Sequence, residues 1–388
     1  MPANKPPFDG ERVKLGELIS KAPIERCGDG KYPVYSMTMR DGIVEQAGRF
    51  KKTIASKDTS SYKVVKKNQL VVGFPIDEGV IYVQHHDVPG IMSPAYNVWN
   101  INLGRVDPSY LEFALHSPRS MAYYADKMRG TTARRRTLTA DGLREMEILL
   151  PSVDEQVRVV NTLDEVRSLI KEANGQIAML DTLVKSRFVE MFGDPAENTM
   201  SWDSASLTSL GRCKNGMNFK SKESGIELPC LGVGDFKDRT FINGVSEMGR
   251  VNLDTMPSEG YFLKDGDIVF VRSNGNKRLV GRCLAVFPNG EKAVYSGFCI
   301  RLRIESDRVR IPYLVWALRH PSMRQQMFGR GANVQNLNQK LMSNVEVPIP
   351  PLPEQDCFLD FVAEVDKSRF NLLKAYGSII ALFRVLFP

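Results

Sequence analysis

The chain has 388 residues, enough for two or three domains, and 43% of them are hydrophobic, enough for packed cores and too many for a disordered protein. No apolar run reaches the roughly 20 residues that span a bilayer, and the N-terminal MPANKPPFDGERVK lacks the apolar core of a signal peptide, so a soluble, cytoplasmic protein is expected. The net charge of +7 is unevenly placed, with +5 on residues 1–150 and +6 on 196–349 against −3 on 151–195 and −1 on 350–388; two large basic segments attract polyanions.

In chain order, residues 69–74 and 80–84 read as strands, with Lys66-Lys67 just before the first. Residues 108–128 read as a helix, followed by the Gly/Thr-rich loop RGTTARRRTLTADGL, which holds Arg129 and Arg134-Arg135-Arg136. LPSVDEQ at 150–156 leads into a long helix with apolar or small residues at Leu163, Val166, Ile170, Ala173, Ile177, Leu180, Val184, Phe188 and Met191. Those steps of 3 and 4 are a heptad pattern. Asn174-Gly175 weakens this helix in its middle and marks a candidate bend, and Gly193-Asp194-Pro195 stops it. Residues 267–271 and 298–304 read as strands, and the first is followed by Arg272-Ser273-Asn274-Gly275-Asn276-Lys277-Arg278. Residues 312–328 read as a helix, RGANVQNLNQKLMSN follows, and IPPLPEQ at 349–355 leads into a second heptad helix. Its stripe is Phe358, Val362, Val365, Arg369, Leu372, Tyr376, Ile379, Phe383 and Leu386, with Arg369 the interruption.

The chain therefore repeats itself. The Glu-Gln pairs of LPSVDEQ and IPPLPEQ, YLEFALHSP at Tyr110 and YLVWALRHP at Tyr313, the two Gly-containing loops, and Glu165-Val166 with Glu364-Val365 recur in one order with a unit of about 200 residues. The expected fold is α+β: two mixed α/β globular domains at 1–150 and 196–349, and two helical segments at 151–195 and 350–388 that bury their seams as an antiparallel intramolecular coiled coil.

Catalytic signatures are missing from the sequence: there is no GxxxxGK[ST] loop, no GxSxG and no HExxH. Lys5-Pro6-Pro7-Phe8 resembles an amino-methyltransferase motif, but Lys stands where a hydrogen-bond acceptor for the target amino group is required. Leu231-Gly-Val-Gly-Asp235 reads as a turn at a strand end, and His85-His86-Asp87 as a surface turn. The six cysteines, Cys27, Cys213, Cys230, Cys283, Cys299 and Cys357, include no CxxC pair and fit reduced thiols better than a metal site.

Reading DNA requires Arg or Lys for guanine, Asn or Gln for adenine, and cations on phosphates. The candidates are Lys66, Lys67, Arg129, Arg134, Arg135 and Arg136 in the first unit. In the second they are Arg272, Asn274, Asn276, Lys277, Arg278, Arg330, Asn333, Gln335 and Asn336. The loops occupy matching places but differ in composition, as a shared frame reading two different half-sites requires.

The [LI]P.[VL].EQ segments before long helices, KSRFVEMFGDP at 185–195 and the repeated two-domain plan resemble the specificity subunit of type I restriction–modification systems. The resemblance implies two target-recognition domains that read a bipartite DNA site, and helices that set the spacing and dock two methyltransferase subunits. It also implies two ATP-driven restriction subunits and no catalysis by this chain, with S-adenosylmethionine, ATP and Mg held by the partners. The rival readings are a stand-alone DNA-binding repressor or coiled-coil scaffold, a fused methyltransferase or nuclease, and an inactive copy of the specificity gene.

Overall fold

The computed structural model describes residues 9–39, 41–49, 58–129, 132, 136–219, 225–236, 239–276, 278–328 and 336–386, without the side chains of 48, 49, 326, 328 and 378–386. The chain divides into two compact units, Met1–Asn174 with Leu373–Pro388, and Gly175–Leu372.

In the first unit, β1 (Glu11–Lys14) and β2 (Ile19–Lys21) are followed by β3 (Tyr35–Thr38), β4 (Gly42–Glu45), a short α1 (Gln46–Arg49) and β5 (Lys63–Val65). Then come β6 (Gln69–Val72), β7 (Ile81–Val83), β8 (Gly90–Met92) and β9 (Asn97–Ile101), the helices α2 (Pro108–Leu115), α3 (Pro118–Lys127) and α4 (Ala140–Arg144), and β10 (Glu147–Leu150). Its main sheet has the order β2-β9-β6-β7, β1 pairs with β10, β5 with β8 and β3 with β4, all antiparallel. Leu70, Val72, Ile81, Val83 and Trp99 of the sheet bury against Tyr110, Leu111 and Leu115 of α2, and the core takes in Val159 and Leu163 of the following helix, α5 (Val153–Phe192).

The second unit repeats this plan. β11 (Ser204–Ser206), α6 (Leu207–Leu210), β12 (Gly211–Asn215), β13 (Ile226–Leu231), β14 (Phe241–Asn243) and β15 (Gly249–Leu253) precede β16 (Asp267–Val271), β17 (Cys283–Phe287), β18 (Val294–Tyr295) and β19 (Cys299–Ile304). α7 (Ile311–Arg319), α8 (Pro321–Phe328), α9 (Gln339–Ser343), β20 (Glu346–Pro348) and α10 (Leu352–Leu386) complete the chain. The main sheet runs β12-β19-β16-β17-β14, which is the order of the first unit with one strand added, and β11 pairs with β20 as β1 does with β10. The internal duplication read from a few short motifs is therefore a duplication of topology.

Two helices anticipated as single pieces are each broken in two. In α2–α3 the break falls at Ser117, which is extended (ψ 153°) before Pro118 and caps α3 by accepting from the Ser120 amide. In α7–α8 it falls at His320 (ψ 138°) before Pro321. Proline lacks the N–H that would continue the ladder and bars its predecessor from the helical region. Three other starts carry side-chain caps: Asp107 accepts from the Ser109 and Tyr110 amides, Thr139 from Gly142 and Asn338 from Leu341.

α5 has 40 residues and spans about 60 Å at 1.5 Å per residue. It runs unbroken through Asn174-Gly175, the anticipated weak point; i to i−4 bonds on either side carry the ladder across a single weak position. The anticipated stripe holds: Leu163, Val166, Val184 and Phe188 are buried and Ile170, Ala173, Ile177, Leu180 and Met191 half-buried, while their neighbours are mostly exposed. In α10, Phe358 and Val365 are buried and Val362, Arg369, Leu372 and Tyr376 half-buried; the side chains of Ile379, Phe383 and Leu386 lie outside the described residues.

Within the second unit the two long helices are antiparallel. Phe188 meets Phe358 edge-on at 5.4 Å, the Arg187 guanidinium lies 5.9 Å from the Phe361 ring centroid, and Asp181 pairs with Arg369, so partner numbers rise as α5 is followed backwards. Arg369 interrupts the apolar stripe because it bridges to Asp181 on α5 and to Asp366 on its own helix at 2.6 Å. α5 ends where the FGDP junction predicts. Gly193 is left-handed (φ 72°), the Asp194 carboxylate accepts from the Ala196 and Glu197 amides, and Phe192 is fully buried.

Candidate nucleic-acid interface

In each unit a segment that follows the short helices is fastened beside the strand in the third position of its main sheet. In the second unit, β16 and β17 are joined by residues 272–282. Arg272 is anchored by its amide to the Phe298 carbonyl (2.8 Å) and by Nη1 to the Gly297 carbonyl (3.2 Å), and its own carbonyl accepts from the Leu337 amide (2.8 Å). Ser273 forms an antiparallel bridge with Asn336. Asn336 and Leu337 are thereby pinned beside the hairpin, which brings Asn336 to the base of the segment that holds Asn274, Asn276 and Arg278. The two asparagines shape that segment themselves: Asn274 Oδ1 accepts from the Asn276 amide at 2.8 Å and Asn276 Oδ1 from the Arg278 amide at 3.1 Å. Asn276, Arg278 and Asn336 are exposed, and Arg272 and Asn274 half-buried. Lys277, Arg330, Asn333 and Gln335 lie outside the described residues.

In the first unit, Arg129 and Thr137 exchange backbone hydrogen bonds (2.9 and 3.1 Å) and close the arginine loop, and the Arg136 carbonyl accepts from the Ile76 amide just beyond β6 (3.0 Å). The loop after the short helices is again fastened to the segment after the third strand. The side chains are deployed differently. Arg136 is three-quarters buried and its guanidinium pairs with Asp77 and with Glu78 at 2.5 Å, so it braces the loop to the 76–78 turn. Lys66 pairs with Glu25 at 2.8 Å and Lys67 with Asp87 at 2.6 Å, all exposed, and such pairs exchange readily with solvent ions. Arg129 is exposed, while Arg134 and Arg135 lie outside the described residues.

The repeated Glu-Gln lead-ins have a structural task. Gln156 and Gln355 are fully buried at the roots of α5 and α10, and each hydrogen-bonds the loop before the first helix of its own unit. Tyr110 and Tyr313, in the other repeated motif, donate to the Leu149 and Pro348 carbonyls at 2.7 and 3.0 Å.

Three basic residues were not among the sequence candidates. Arg282, Arg319 and Arg324 line one cavity of about 200 Å³ beside the hairpin base in the second unit. The aligned motifs held the signal, since YLEFALHSP has His116 where YLVWALRHP has Arg319.

Among the other singled-out features, His85 faces Glu112 at 3.3 Å, and His86 stacks on Tyr35 and bonds the Ile43 carbonyl. No group of three or more metal-ligating side chains occurs among the described residues. Asp235 accepts from the Gly232 amide at 2.8 Å in a turn after β13, which makes the GVGD fragment a strand-end turn. Lys5-Pro6-Pro7-Phe8 lies outside the described residues. No described helix is long and apolar enough to cross a membrane.

Residues 201–377 match the type I restriction modification DNA specificity domain family. The chain is 25% identical over 229 residues to the type I restriction enzyme StySPI specificity subunit of Salmonella potsdam, covering 54% of this chain and about half (48%) of that one. It is 22% identical over 390 residues to the type I restriction enzyme MjaVIII specificity subunit of Methanocaldococcus jannaschii, with 93% and 87% covered. In fold it is similar to a chain solved in work on complex assembly and conformational transition of the type I R-M system (TM-score 0.63, 18% identity, 99% and 97% covered). It is also similar to the type I S subunit from M. genitalium (TM-score 0.50, 16% identity, 98% and 97% covered).

Proposed function

We propose that the chain is a specificity subunit of the type I restriction–modification kind and that each of its two units reads one half of a bipartite DNA site. The observation that carries this reading is the twice-built frame: one sheet order and one loop-to-strand fastening, with the loop side chains changed between copies. In the second unit Asn274, Asn276, Arg278 and Asn336 offer the amide and guanidinium donors that base edges demand. Phosphate contacts supply most of the affinity and make it salt-dependent.

The long helices set the spacing between half-sites and carry two methyltransferase subunits, and two restriction subunits complete the assembly. This chain performs no catalysis. The methyltransferases bind S-adenosylmethionine and take the target base out of the duplex, and the restriction subunits use ATP and Mg. The test is to map methylated bases in cells that express this chain with its methyltransferase, as wild type and with Asn274→Ala, Asn276→Ala and Arg278→Ala. The wild type is expected to mark a two-part motif and the variant to lose or relax one half alone. A variant that marks the same complete motif overturns the assignment of this loop, and a wild type that directs no sequence-specific methylation overturns the function.

A further inference from the structure

We propose that the corner where residues 272–282 meet the α7–α8 junction is an anion site that seats one phosphate of the DNA backbone, held by Arg282, Arg319 and Arg324. The proposal rests on the DNA-binding reading above and assigns to it a positioning contact that the base-reading loop does not supply.

The case starts from the duplication. Gly79 and Gly281 occupy the same corner of their sheets, each just before the strand that pairs with the third one, and both are left-handed (φ 77° and 81°). In the first unit that corner is filled by side chains. His116 Nε2 bonds the Gly79 carbonyl at 3.0 Å, and a Cβ on Gly79 would lie 3.2 Å from the His116 ring and 3.6 Å from Met121. In the second unit the aligned positions of α7 and α8 are Arg319 and Arg324, and Arg282 stands where the first unit has Val80. The corner is then a cavity of about 200 Å³, against roughly 30 Å³ for one water in the liquid. The frame is shared, and the change within it is from a histidine and methionine filling to a space lined by three arginines.

The arrangement suits a tetrahedral oxyanion. Arg319 Nη1 donates to the Arg239 and Cys283 carbonyls at 2.8 and 2.9 Å, which fixes that guanidinium in place before any ligand arrives. Arg282 and Arg324 are half-buried and line the same cavity, one from the hairpin and one from α8. Burial, and then the charge of Arg282, lower the pKa of Arg324 from its usual value, which sets the two guanidinium groups near each other. An anion at this corner is attracted by both charges, and the planar fork of arginine matches phosphate oxygens two at a time. Arg282 is also covalently continuous with the reading loop: its carbonyl accepts from the Val271 amide at 2.8 Å, at the base of the hairpin that carries Asn274, Asn276 and Arg278. A phosphate seated here sets the register of that loop on the duplex.

The test uses the full-length chain and a random-sequence duplex, so no target sequence is needed. Affinity is measured across a salt series for wild type, Arg282→Gln/Arg324→Gln, the charge-keeping Arg282→Lys/Arg324→Lys, and Arg212→Gln on the opposite edge strand β12. One lost phosphate contact lowers the slope of log affinity against log salt by about 0.9. The Gln pair is expected to show that decrease with about tenfold weaker binding, while the Lys pair and Arg212→Gln keep the wild-type slope. A folded Gln pair with the wild-type slope overturns the anion site and leaves DNA binding standing. If the Gln pair fails to fold, a Lys pair that still loses the slope has the same force, because both charges remain. A wild type without salt-dependent binding overturns the DNA-binding reading and the anion site together.

Discussion

Gln156 and Gln355, 199 positions apart, make the same three hydrogen bonds. Gln156 Oε1 accepts from the Asp107 amide (2.7 Å) and its Nε2 donates to the Arg105 and Pro151 carbonyls (3.1 and 2.9 Å). Gln355 accepts from the Arg310 amide (2.7 Å) and donates to the Arg308 and Pro350 carbonyls (3.0 and 2.8 Å). Each side chain fastens the first turn of a long helix to the loop that launches α2 or α7. Replacement by Ala leaves three main-chain groups without these partners, and each buried one costs about 1–3 kcal/mol. Gln156→Ala is expected to destabilise the first unit and Gln355→Ala the second, as read by hydrogen exchange at amides of the affected unit. Equal loss of protection in both units for either variant would contradict the assignment.

Phe188 anchors the second half of α5. It is 2% exposed and lies 5.2 Å from Phe192, 5.9 Å from Tyr313 and 5.4 Å from Phe358. Phe188→Ala removes the shared ring of that cluster and is expected to cost about 3–5 kcal/mol in denaturant unfolding of the second unit. A loss below about 1 kcal/mol would show that the cluster closes over the gap.

Arg369 stands at a seam position, so Arg369→Leu completes the heptad stripe. Its partner Asp181 is half exposed, and pairs of that kind contribute no more than about 1 kcal/mol. The substitution is expected to be neutral or slightly stabilising in thermal unfolding. A large drop in midpoint would mean that the ion pair fixes the helix register.

The thiols differ sharply in reach. Burial pushes Cys213 up to about 11 and Cys230, Cys283 and Cys299 up to about 12, and Cys27 is buried as well, while Cys357 is exposed on α10. A raised pKa keeps a thiol in its protonated, unreactive form at neutral pH, and the thiolate appears only as pH climbs towards the shifted value. Maleimide at about pH 8 is expected to modify Cys357 first in the native protein, with the other five following only in denaturant. Mass spectrometry of the labelled peptides reads the result, and fast labelling of Cys283 would contradict the packing around it.

The heptad stripes were legible because a helix seam writes its period directly into the sequence, and Leu163, Val166, Val184 and Phe188 bury as that period demands. The helix breaks at Ser117 and His320 were equally present in the sequence, as residues preceding proline, but apolar periodicity continues across both and hides them. The sheet order was not legible, because it is set by pairings such as Gln69 with Asn100 and Ile268 with Leu302, which no local pattern encodes. Arg136 illustrates a limit on the site. Composition alone cannot tell an arginine that contacts a ligand from one that braces a turn, and its pairing with Asp77 and Glu78 depends on a chain segment 58 residues away.

The apolar clusters of the described residues fall cleanly by unit: Val159 and Leu163 join the first core, and Val184, Phe188 and Phe192 the second. One helix is thus held at its two ends by two independent interiors. Heating such a chain should dismantle it in stages, with α5 unravelling half at a time, so calorimetry ought to record separate endotherms and no single melting point can describe the molecule.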